Sequence, residues 1–321
     1  MRDHDLIESL KRKVGVPFTC RFEGERCVEI DLTSREHIFH GLIRHHTQAE
    51  KAEILFLIAG LSHLQRLNLR SNLLQTVPDI FGNLTQLRHL DLSSNQLGKV
   101  PLWIAELENL GYLNLSANDI QDLPVFLRKF TDLKTLRLHK NSFKTYPDDY
   151  GAFTALESLN VYSCPLRHFP PVIYGYGSLK VLGLGVTPIT EVSADIQRLQ
   201  NLEHLLLQCN RLTAVPDAIC ELRRLKGLML LQNKLAALPE YIGNLEGLEH
   251  VTLYQNELRR LPASFENLRR LKKLNLAWNQ FEEVPAVVLG LPDLEWFAFF
   301  HNPVRGELPR LDHIRELILE K

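Results

Sequence analysis

Leucine recurs along the chain in a segment of fixed length. The segment has the pattern LxxLxLxxNxL followed by LPxxIxxL, and it repeats every 23 residues with no insertion or deletion between its eleven copies. A period in this range is typical of a solenoid, in which each copy forms one coil stacked on its neighbours. The copies open at Leu64, Leu87, Leu110, Leu133, Leu156, Leu179, Leu202, Leu225, Leu248, Leu271 and Leu294.

The seventh copy shows what each half of the segment predicts. Leu205 and Leu207 alternate with outward positions, which favours a short strand. The amide group of Asn210 can then bond to backbone groups where the chain leaves the strand. Ile219 and Leu222 lie three residues apart, the spacing of one helical turn that faces inward.

One coil cannot bury its own apolar face, so each needs a neighbour above and below. The expected result is a parallel sheet on one side of the stack and short helical or irregular segments on the other. Because the helical side needs more room, the sheet should lie on the concave face. The sequence therefore predicts an α/β solenoid, a horseshoe with a concave parallel β-sheet of about eleven repeats over residues 64–304 and one continuous core.

The ends of such a stack need caps over their open apolar faces. Residues 1–63 are predicted to form an N-terminal cap, with a degenerate strand at residues 27–32, a helix starting near Arg35 and a second helix over residues 48–61. Residues 305–321 are predicted to form a C-terminal cap helix. Its apolar positions recur at helical spacing and are Leu308, Leu311, Ile314, Leu317 and Ile318.

The repeated residues resemble the leucine-rich repeat family over about residues 64–304. The second half of the segment, such as Leu238-Pro239-x-x-Ile242-x-x-Leu245, resembles the intracellular Ras-group type of repeat. It is also similar to repeats of bacterial proteins, some of which are delivered into host cells. The resemblance implies a horseshoe that binds proteins on its concave face, and it implies no particular partner.

The asparagine at the end of each strand is replaced in two adjacent copies. Cys164 and Thr187 occupy this position, and Ser193 replaces the usual proline in the second half of the sixth copy. Family resemblance allows Cys and Thr here, which favours tolerated variation. The alternative is a local change of curvature, or a softer hinge, between two halves of the stack.

Composition excludes several classes of function. The chain has 37 basic and 38 acidic residues, so bulk attraction to nucleic acid or to an anionic membrane is not expected. Residues 1–20 are charged throughout, which argues against a secretory signal, and no apolar run is long enough to span a bilayer. The five scattered cysteines suggest reduced thiols and a cytoplasmic location.

Two residue clusters could carry chemistry, and neither fits a known spacing. His37 and His40, near His45 and His46, could share a helix face, but no cysteine or carboxylate completes a metal site. Cys209 projects from the concave face with only His204 as a candidate base in its own coil. We therefore expect no catalytic residues, no metal, no cofactor and no enzyme activity.

Outward strand positions should be the functional surface. The residue directly after the opening leucine alternates between lysine and glutamate over eight successive coils, beginning with Lys134 and ending with Glu295. This alternation favours cross-strand pairing. Other outward positions are apolar in copies seven to eleven, where interface residue types are concentrated. The candidate partner-binding residues there are Leu206, Met229, Leu231, Tyr254, Trp278, Trp296 and Phe300. Basic residues in the first four copies, opposed there by Asp91, form a second contact or steering region: Arg66, Arg70, Arg88, Lys134, Arg137 and Lys140.

The sequence thus predicts a monomeric, cytoplasmic scaffold that binds a protein partner on its concave face. Family resemblance suggests small-GTPase, kinase or phosphatase signalling. One alternative is a bacterial effector module that captures a host protein. Another is the substrate-recognition arm of an enzyme, such as a ubiquitin ligase, whose catalytic part is elsewhere.

Overall fold

The computed structural model describes residues 2–33, 41–151, 153–305, 309, 311 and 314–319. The chain divides into two compact units, residues 1–159 and 160–321, which are described in turn. The boundary lies inside the fifth coil, which opens at Leu156.

The first unit starts with helix α1 (Asp3–Val14), an antiparallel hairpin of strands β1 (Thr19–Glu23) and β2 (Arg26–Asp31), and helix α2 (Gln48–Ala59). From β2 onward, successive strands pair in parallel and in chain order. These strands are β3 (Arg66–Asn68), β4 (His89–Asp91), β5 (Tyr112–Asn114) and β6 (Thr135–Arg137), and the 3-10 helices between them span Asp79–Asn83, Leu102–Glu106 and Val125–Lys129.

Strand β7 (Ser158–Asn160) straddles the boundary, and the second unit continues with parallel strands in chain order. They are β8 (Val181–Gly183), β9 (His204–Leu206), β10 (Gly227–Met229), β11 (His250–Thr252), β12 (Lys273–Asn275), β13 (Trp296–Ala298) and β14 (Glu316–Ile318). The 3-10 helices are Pro171–Gly175, Ala194–Arg198, Asp217–Glu221, Ile242–Asn244 and Ala263–Asn267, and α3 spans Ala286–Leu289. Strands β3 to β13 give one strand for each predicted coil, which confirms the solenoid.

The core consists of the repeated leucines and the inward side of each 3-10 helix. In the seventh coil, Leu205, Leu207, Ile219 and Leu222 are all fully buried. Burial of one leucine or isoleucine side chain contributes about 1.5–3 kcal/mol, and the same pattern recurs coil after coil.

Asparagines tie each coil to the one before it. The Asn233 amide group donates to the carbonyl oxygens of Leu207 and Leu230, both at 3.0 Å, and its side-chain oxygen accepts from the backbone N–H of Leu212 at 3.1 Å. All three partners are backbone groups that would otherwise be buried unpaired. The asparagine ladder predicted from the sequence is confirmed here.

Thr187 shows how the ladder tolerates a replacement. Its hydroxyl lies 2.8 Å from the Leu184 carbonyl oxygen, the contact within its own coil that an asparagine amide makes elsewhere. The same hydroxyl lies 2.7 Å from the Asn210 side-chain oxygen, which also accepts from the Ile189 N–H. At Cys164, the thiol lies 3.9 Å from the Tyr162 carbonyl oxygen. The bonding at Thr187 supports tolerated variation.

The terminal elements differ in part from the prediction. The degenerate strand and the second helix of the N-terminal cap are present as β2 and α2, and α1 is an additional helix. The helix expected to start near Arg35 has its first residues within 34–40, outside the described residues. Its apolar face was expected to continue through Leu42 and Ile43, but these two residues lie in a turn.

The prediction of a C-terminal cap helix is wrong where the structure describes the residues. Residues 316–318 form β14, which pairs with β13, while Leu308 lies outside the described residues. Leu311 and Ile314 are buried, as their apolar spacing suggested, but Leu317 is 38% exposed.

Candidate functional site

Within each unit, the outward side chains of the coils form one surface, which we call the strand face of that unit. Counting the opening leucine as position 1, the strand face consists of positions 2, 3, 5, 7 and 8. In β9, for example, Leu205 is buried at position 4, whereas His204 and Leu206 on either side are half-buried. Period-2 alternation therefore separates core from surface within a strand of only three residues.

Position 8 has a left-handed backbone in every coil. Eleven residues spaced one coil apart have φ between 50° and 63°, and none of them is glycine. Such a conformation is unfavourable for side chains with a Cβ atom and persists only where surrounding contacts fix it. These residues are Ser71, Ser94, Ala117, Lys140, Ser163, Val186, Cys209, Gln232, Gln255, Trp278 and His301.

The apolar residues predicted for partner binding all lie on the strand face of the second unit. None is buried: Trp278 is 45% exposed, Met229 is 36% exposed, and the other five are partly exposed. Leu206 and Met229 lie side by side on paired strands. We call this set the apolar patch: Leu206, Met229, Leu231, Tyr254, Trp278, Trp296 and Phe300.

His301 extends the apolar patch and was missed from the sequence. Its ring lies 4.4 Å from the Trp278 ring and 5.4 Å from the Phe300 ring, measured between centroids. It occupies position 8, one coil after Trp278, so the repeat spacing alone could have identified it.

Polar side chains run along position 8 next to the apolar patch. The Cys209 thiol donates to the side-chain oxygen of Gln232 at 2.8 Å, and the Gln232 amide donates to the side-chain oxygen of Gln255 at 3.0 Å. Burial raises the pKa of the Cys209 thiol, which is the opposite of what an activated nucleophile needs. Burial also raises the pKa of Cys27 to about 12 and of Cys220 to about 11.

Two ion pairs of the alternating charge column form across adjacent strands. Lys226 contacts Glu203 at 2.6 Å and Lys272 contacts Glu249 at 2.9 Å. The hydrogen bond from its lysine lowers the pKa of each glutamate. For these pairs, the predicted cross-strand pairing is confirmed.

The basic residues predicted as a second contact lie on the strand face of the first unit. Arg66 forms an ion pair with Glu29 at 3.6 Å. Arg137 lies over the Tyr112 ring, 5.6 Å from its centroid, and Tyr112 in turn stacks on His89. Arg88, Lys134 and Lys140 are exposed, and Arg70 is half-buried. His89 and Tyr112 were missed because position 3 holds a different residue type in each of the first four coils.

No group of three or more His, Cys, Asp or Glu residues that could hold a metal occurs within the described part of the chain. Of the histidines considered for such a site, His37 and His40 lie outside the described residues, and the His46 ring nitrogen lies 3.0 Å from the Lys13 carbonyl oxygen. Among the described helices, none has the length and apolar character to cross a membrane.

The chain belongs to the leucine-rich repeat family. The family described as leucine-rich repeat region matches residues 77–169 and 175–283, which is more than half of the chain. A second family, described as leucine-rich repeat, matches residues 63–84. Members of this family are protein-interaction modules, and the fold is typically a non-catalytic binding scaffold. No curated protein matches the sequence.

Solved structures with the same fold come from bacteria and plants. A leucine-rich repeat protein of Leptospira interrogans is 29% identical, with a TM-score of 0.67 over 78% of this chain and 69% of that chain. An internalin of Listeria monocytogenes, InlF, is 18% identical, with a TM-score of 0.73 over 98% of this chain and 94% of that chain. The Arabidopsis receptor kinase HAESA, solved with the peptide hormone IDA and the co-receptor SERK1, is 23% identical, with a TM-score of 0.75 over 94% of this chain and 53% of that chain.

Proposed function

We propose that this protein captures a protein partner on the strand face of its second unit, with the apolar patch as the main contact. The observation that carries the proposal is the exposure of Trp278 and Met229 on a face whose backbone is fixed by strand pairing. Aromatic and methionine side chains are enriched in the centre of interfaces, where a few of them supply most of the binding energy.

The backbone beneath the apolar patch supports this proposal. The Trp278 N–H donates to the Phe300 carbonyl oxygen at 3.0 Å, and the Gln232 N–H donates to the Tyr254 carbonyl oxygen at 2.7 Å. These bonds hold the anchors in place before a partner arrives, which reduces the ordering cost of binding.

The cellular setting is a further part of the proposal. A signalling scaffold for a small GTPase, a kinase or a phosphatase, located in the cytoplasm, is the first candidate. Capture of a host protein by a bacterial protein is the second, and the chain is 29% identical to one bacterial leucine-rich repeat protein, that of Leptospira interrogans. A recognition arm for a separate catalytic chain would use the same face.

Affinity purification followed by calorimetry tests the proposal. Proteins retained by the wild-type chain should be lost with Trp278→Ala and Tyr254→Ala and kept with Tyr241→Ala, whose tyrosine is 64% exposed beside a 3-10 helix. With the purified partner, both strand-face variants should weaken binding at least about tenfold, as loss of a hot spot does. The thermal midpoint should hardly change.

A charge-reversal experiment tests the steering role proposed for the basic residues. Arg66→Glu and Arg137→Glu should slow association with the same partner, and the effect should disappear at high salt.

One result would contradict the choice of face. Normal binding by Trp278→Ala and Tyr254→Ala, together with a loss for Tyr241→Ala, would show that the partner uses the opposite side.

A further inference from the structure

The strand face of the first four coils carries positive charge with little compensation. Six cations lie on it, and the ion pair of Arg66 with Glu29 is the one ion pair that they form with other described residues. Glu29 also contacts Arg21 at 3.1 Å, so its single charge is shared. The six are Arg66, Arg70, Arg88, Lys134, Arg137 and Lys140.

Four buried polar residues lie among these cations, and together we call them the floor. Asp91 and Ser93 from the second coil and Asn114 and Ser116 from the third occupy outward positions, yet all four are buried. Asp91 accepts from the Ser93 N–H at 2.8 Å, from the Ser93 hydroxyl at 2.5 Å and from the Asn114 amide at 2.9 Å. Three donors therefore satisfy its carboxylate from within the floor, so Asp91 contributes no ion pair to the cations.

Two polar groups at the ends of the floor lack partners among the described residues. Arg70 and His139 occupy position 7 of the first and fourth coils, with only the small residues Ser93 and Ser116 at that position between them. Arg70 Nε and His139 Nδ1 are buried and make no hydrogen bond within the part of the chain that the structure describes. A buried, unsatisfied group of this kind is costly, and a bound ligand is one way to satisfy it.

An aromatic wall holds one of the cations in place. The His89 and Tyr112 rings stack with centroids 3.9 Å apart and planes inclined by 5°, and the Arg137 guanidinium lies over the outer face of this stack. A guanidinium positioned in this way is ordered in advance for bidentate contact with a carboxylate.

We propose that this surface binds an acidic segment of a protein partner, a short extended run of Asp or Glu side chains that contact Arg70, Arg137 and Lys140. Four strands at about 4.8 Å spacing span roughly 14 Å, a distance that about five extended residues cover. The net charge of −1 and the small number of cations favour a short acidic peptide over a nucleic acid, which depends on many phosphate contacts. The inference deepens the proposed function, in which these basic residues steer association, and it does not rest on the apolar patch of the other unit.

Fluorescence anisotropy with two labelled peptides of equal length tests the inference. A peptide of about six glutamates, long enough to span the four strands, should bind, and its affinity should fall as salt is added. The glutamine peptide of the same length should not bind. Arg70→Gln and Arg137→Gln should each weaken binding at least about tenfold, the loss expected for one charge-assisted hydrogen bond.

A pair of exposed lysines in one coil supplies the matched control. Lys140 lies on the strand face and Lys144 on the following loop. Lys140→Gln should weaken binding of the glutamate peptide, and Lys144→Gln should not. Both lysines are exposed, so neither change threatens folding. Trp278→Ala should bind the glutamate peptide normally, which separates this test from that of the proposed function.

Three outcomes would overturn the inference. One is equal binding of the glutamine and glutamate peptides. Another is an equal loss of affinity with Lys140→Gln and Lys144→Gln. The third is tighter binding of a short single-stranded RNA than of the glutamate peptide, with the same dependence on Arg70 and Arg137, which would assign the surface to nucleic acid.

Discussion

The Tyr174 hydroxyl oxygen accepts a hydrogen bond from the backbone N–H of Ser193 at 3.0 Å. Most other coils have proline at the position of Ser193, which has no N–H to satisfy. The backbone itself is unchanged, with φ −69° and ψ 155° at Ser193 against φ −69° and ψ 150° at Pro216. Tyr174 therefore compensates for the extra donor that this replacement introduces.

Tyr174→Phe should destabilise the protein by about 1–3 kcal/mol, because the Ser193 N–H loses its acceptor. In the Ser193→Pro background the same change should have a much smaller effect, since no donor is left to satisfy. Urea titration of both single variants and the double variant measures this coupling. Equal effects of Tyr174→Phe in the two backgrounds would show that the tyrosine acts through packing alone.

Different replacements of an asparagine in the ladder should destabilise the protein to different degrees. Asn233→Ala removes three hydrogen bonds to buried backbone groups and should lower the free energy of unfolding by about 1–3 kcal/mol. Asn233→Thr should be less destabilising, because its hydroxyl can replace the bond within the coil as Thr187 does. Denaturant titration ranks the three proteins, and a threonine variant no more stable than the alanine variant would refute the substitution rule.

Leu206, the last residue of β9, and the adjacent Leu207 should differ in what they contribute. Leu207→Ala empties a fully buried site and should cost about 2–5 kcal/mol. Leu206→Ala, on the strand face, should leave stability nearly unchanged and instead weaken partner binding. Thermal unfolding and binding measured on the same two variants decide this, and similar losses of stability would contradict the assignment of faces.

Stability should depend on pH through two histidines of the first unit. Burial, and then the nearby Arg66 and Arg137 respectively, lower the pKa of His89 and His139. At these two histidines the folded protein therefore binds protons less readily than the unfolded chain, in which a histidine has a pKa of about 6.5. Stability should be highest above that value and fall as the pH is lowered through it.

The double variant His89→Gln, His139→Gln should show a flatter dependence of unfolding free energy on pH between about 7.5 and 5 than the wild type. His168→Gln, which changes an exposed imidazole, is the control and should follow the wild type. A double variant with an unaltered profile would assign the pH dependence to other groups.

A fifth prediction concerns backbone conformation at Val186. This β-branched residue has φ 52° and is 38% exposed, so burial offsets the cost of its left-handed conformation only in part. Val186→Asn should raise the free energy of unfolding by about 1 kcal/mol, because asparagine adopts this conformation at lower cost. Ala117→Asn, at the same position of an earlier coil, should give a smaller gain. Destabilisation by Val186→Asn would mean that the valine packs favourably here.

The repeat period predicted the strands well because the same solution recurs in every coil. Each LxL pair defines a strand, and each following asparagine fixes a turn, so errors at one copy are corrected by the others. The left-handed residue was not predicted, since position 8 holds residue types as different as Lys140, Val186 and Trp278. No single residue type signals it, and the surrounding bonds impose it.

Non-repeated segments were predicted less well. The apolar spacing near the C-terminus fitted a helix, but the open edge of β13 offers backbone partners that a strand can use: the Glu316 N–H donates to Glu295 O, and Phe299 N–H donates to Ile318 O. Tertiary pairing overrode local periodicity there. The sequence also contains a signal for helix α1. Four apolar residues recur there at helical spacing and are all buried: Leu6, Ile7, Leu10 and Val14. The many charged residues of this segment concealed that signal.

The partner-binding surfaces illustrate the same limit. Repeat phase placed Trp278 and Tyr254 outward, but the contact of Trp278 with His301 depends on side-chain conformation. The unpartnered Arg70 and His139 atoms likewise follow from how long side chains fold over a floor of short ones. Position along a strand can be counted from the sequence, whereas these arrangements require coordinates.

The reach of each asparagine has a consequence for how such a chain can grow. Asn233 bonds to Leu207 and Leu212 in the coil before it, and Asn256 bonds to Leu230 and Leu235 in the same way. Duplication or loss of one whole coil would join surfaces that already fit, while a shift by a single residue would break every such bond at the junction. The chain can therefore become longer or shorter by whole coils, because the coils on either side of the change meet through the same kind of interface as before.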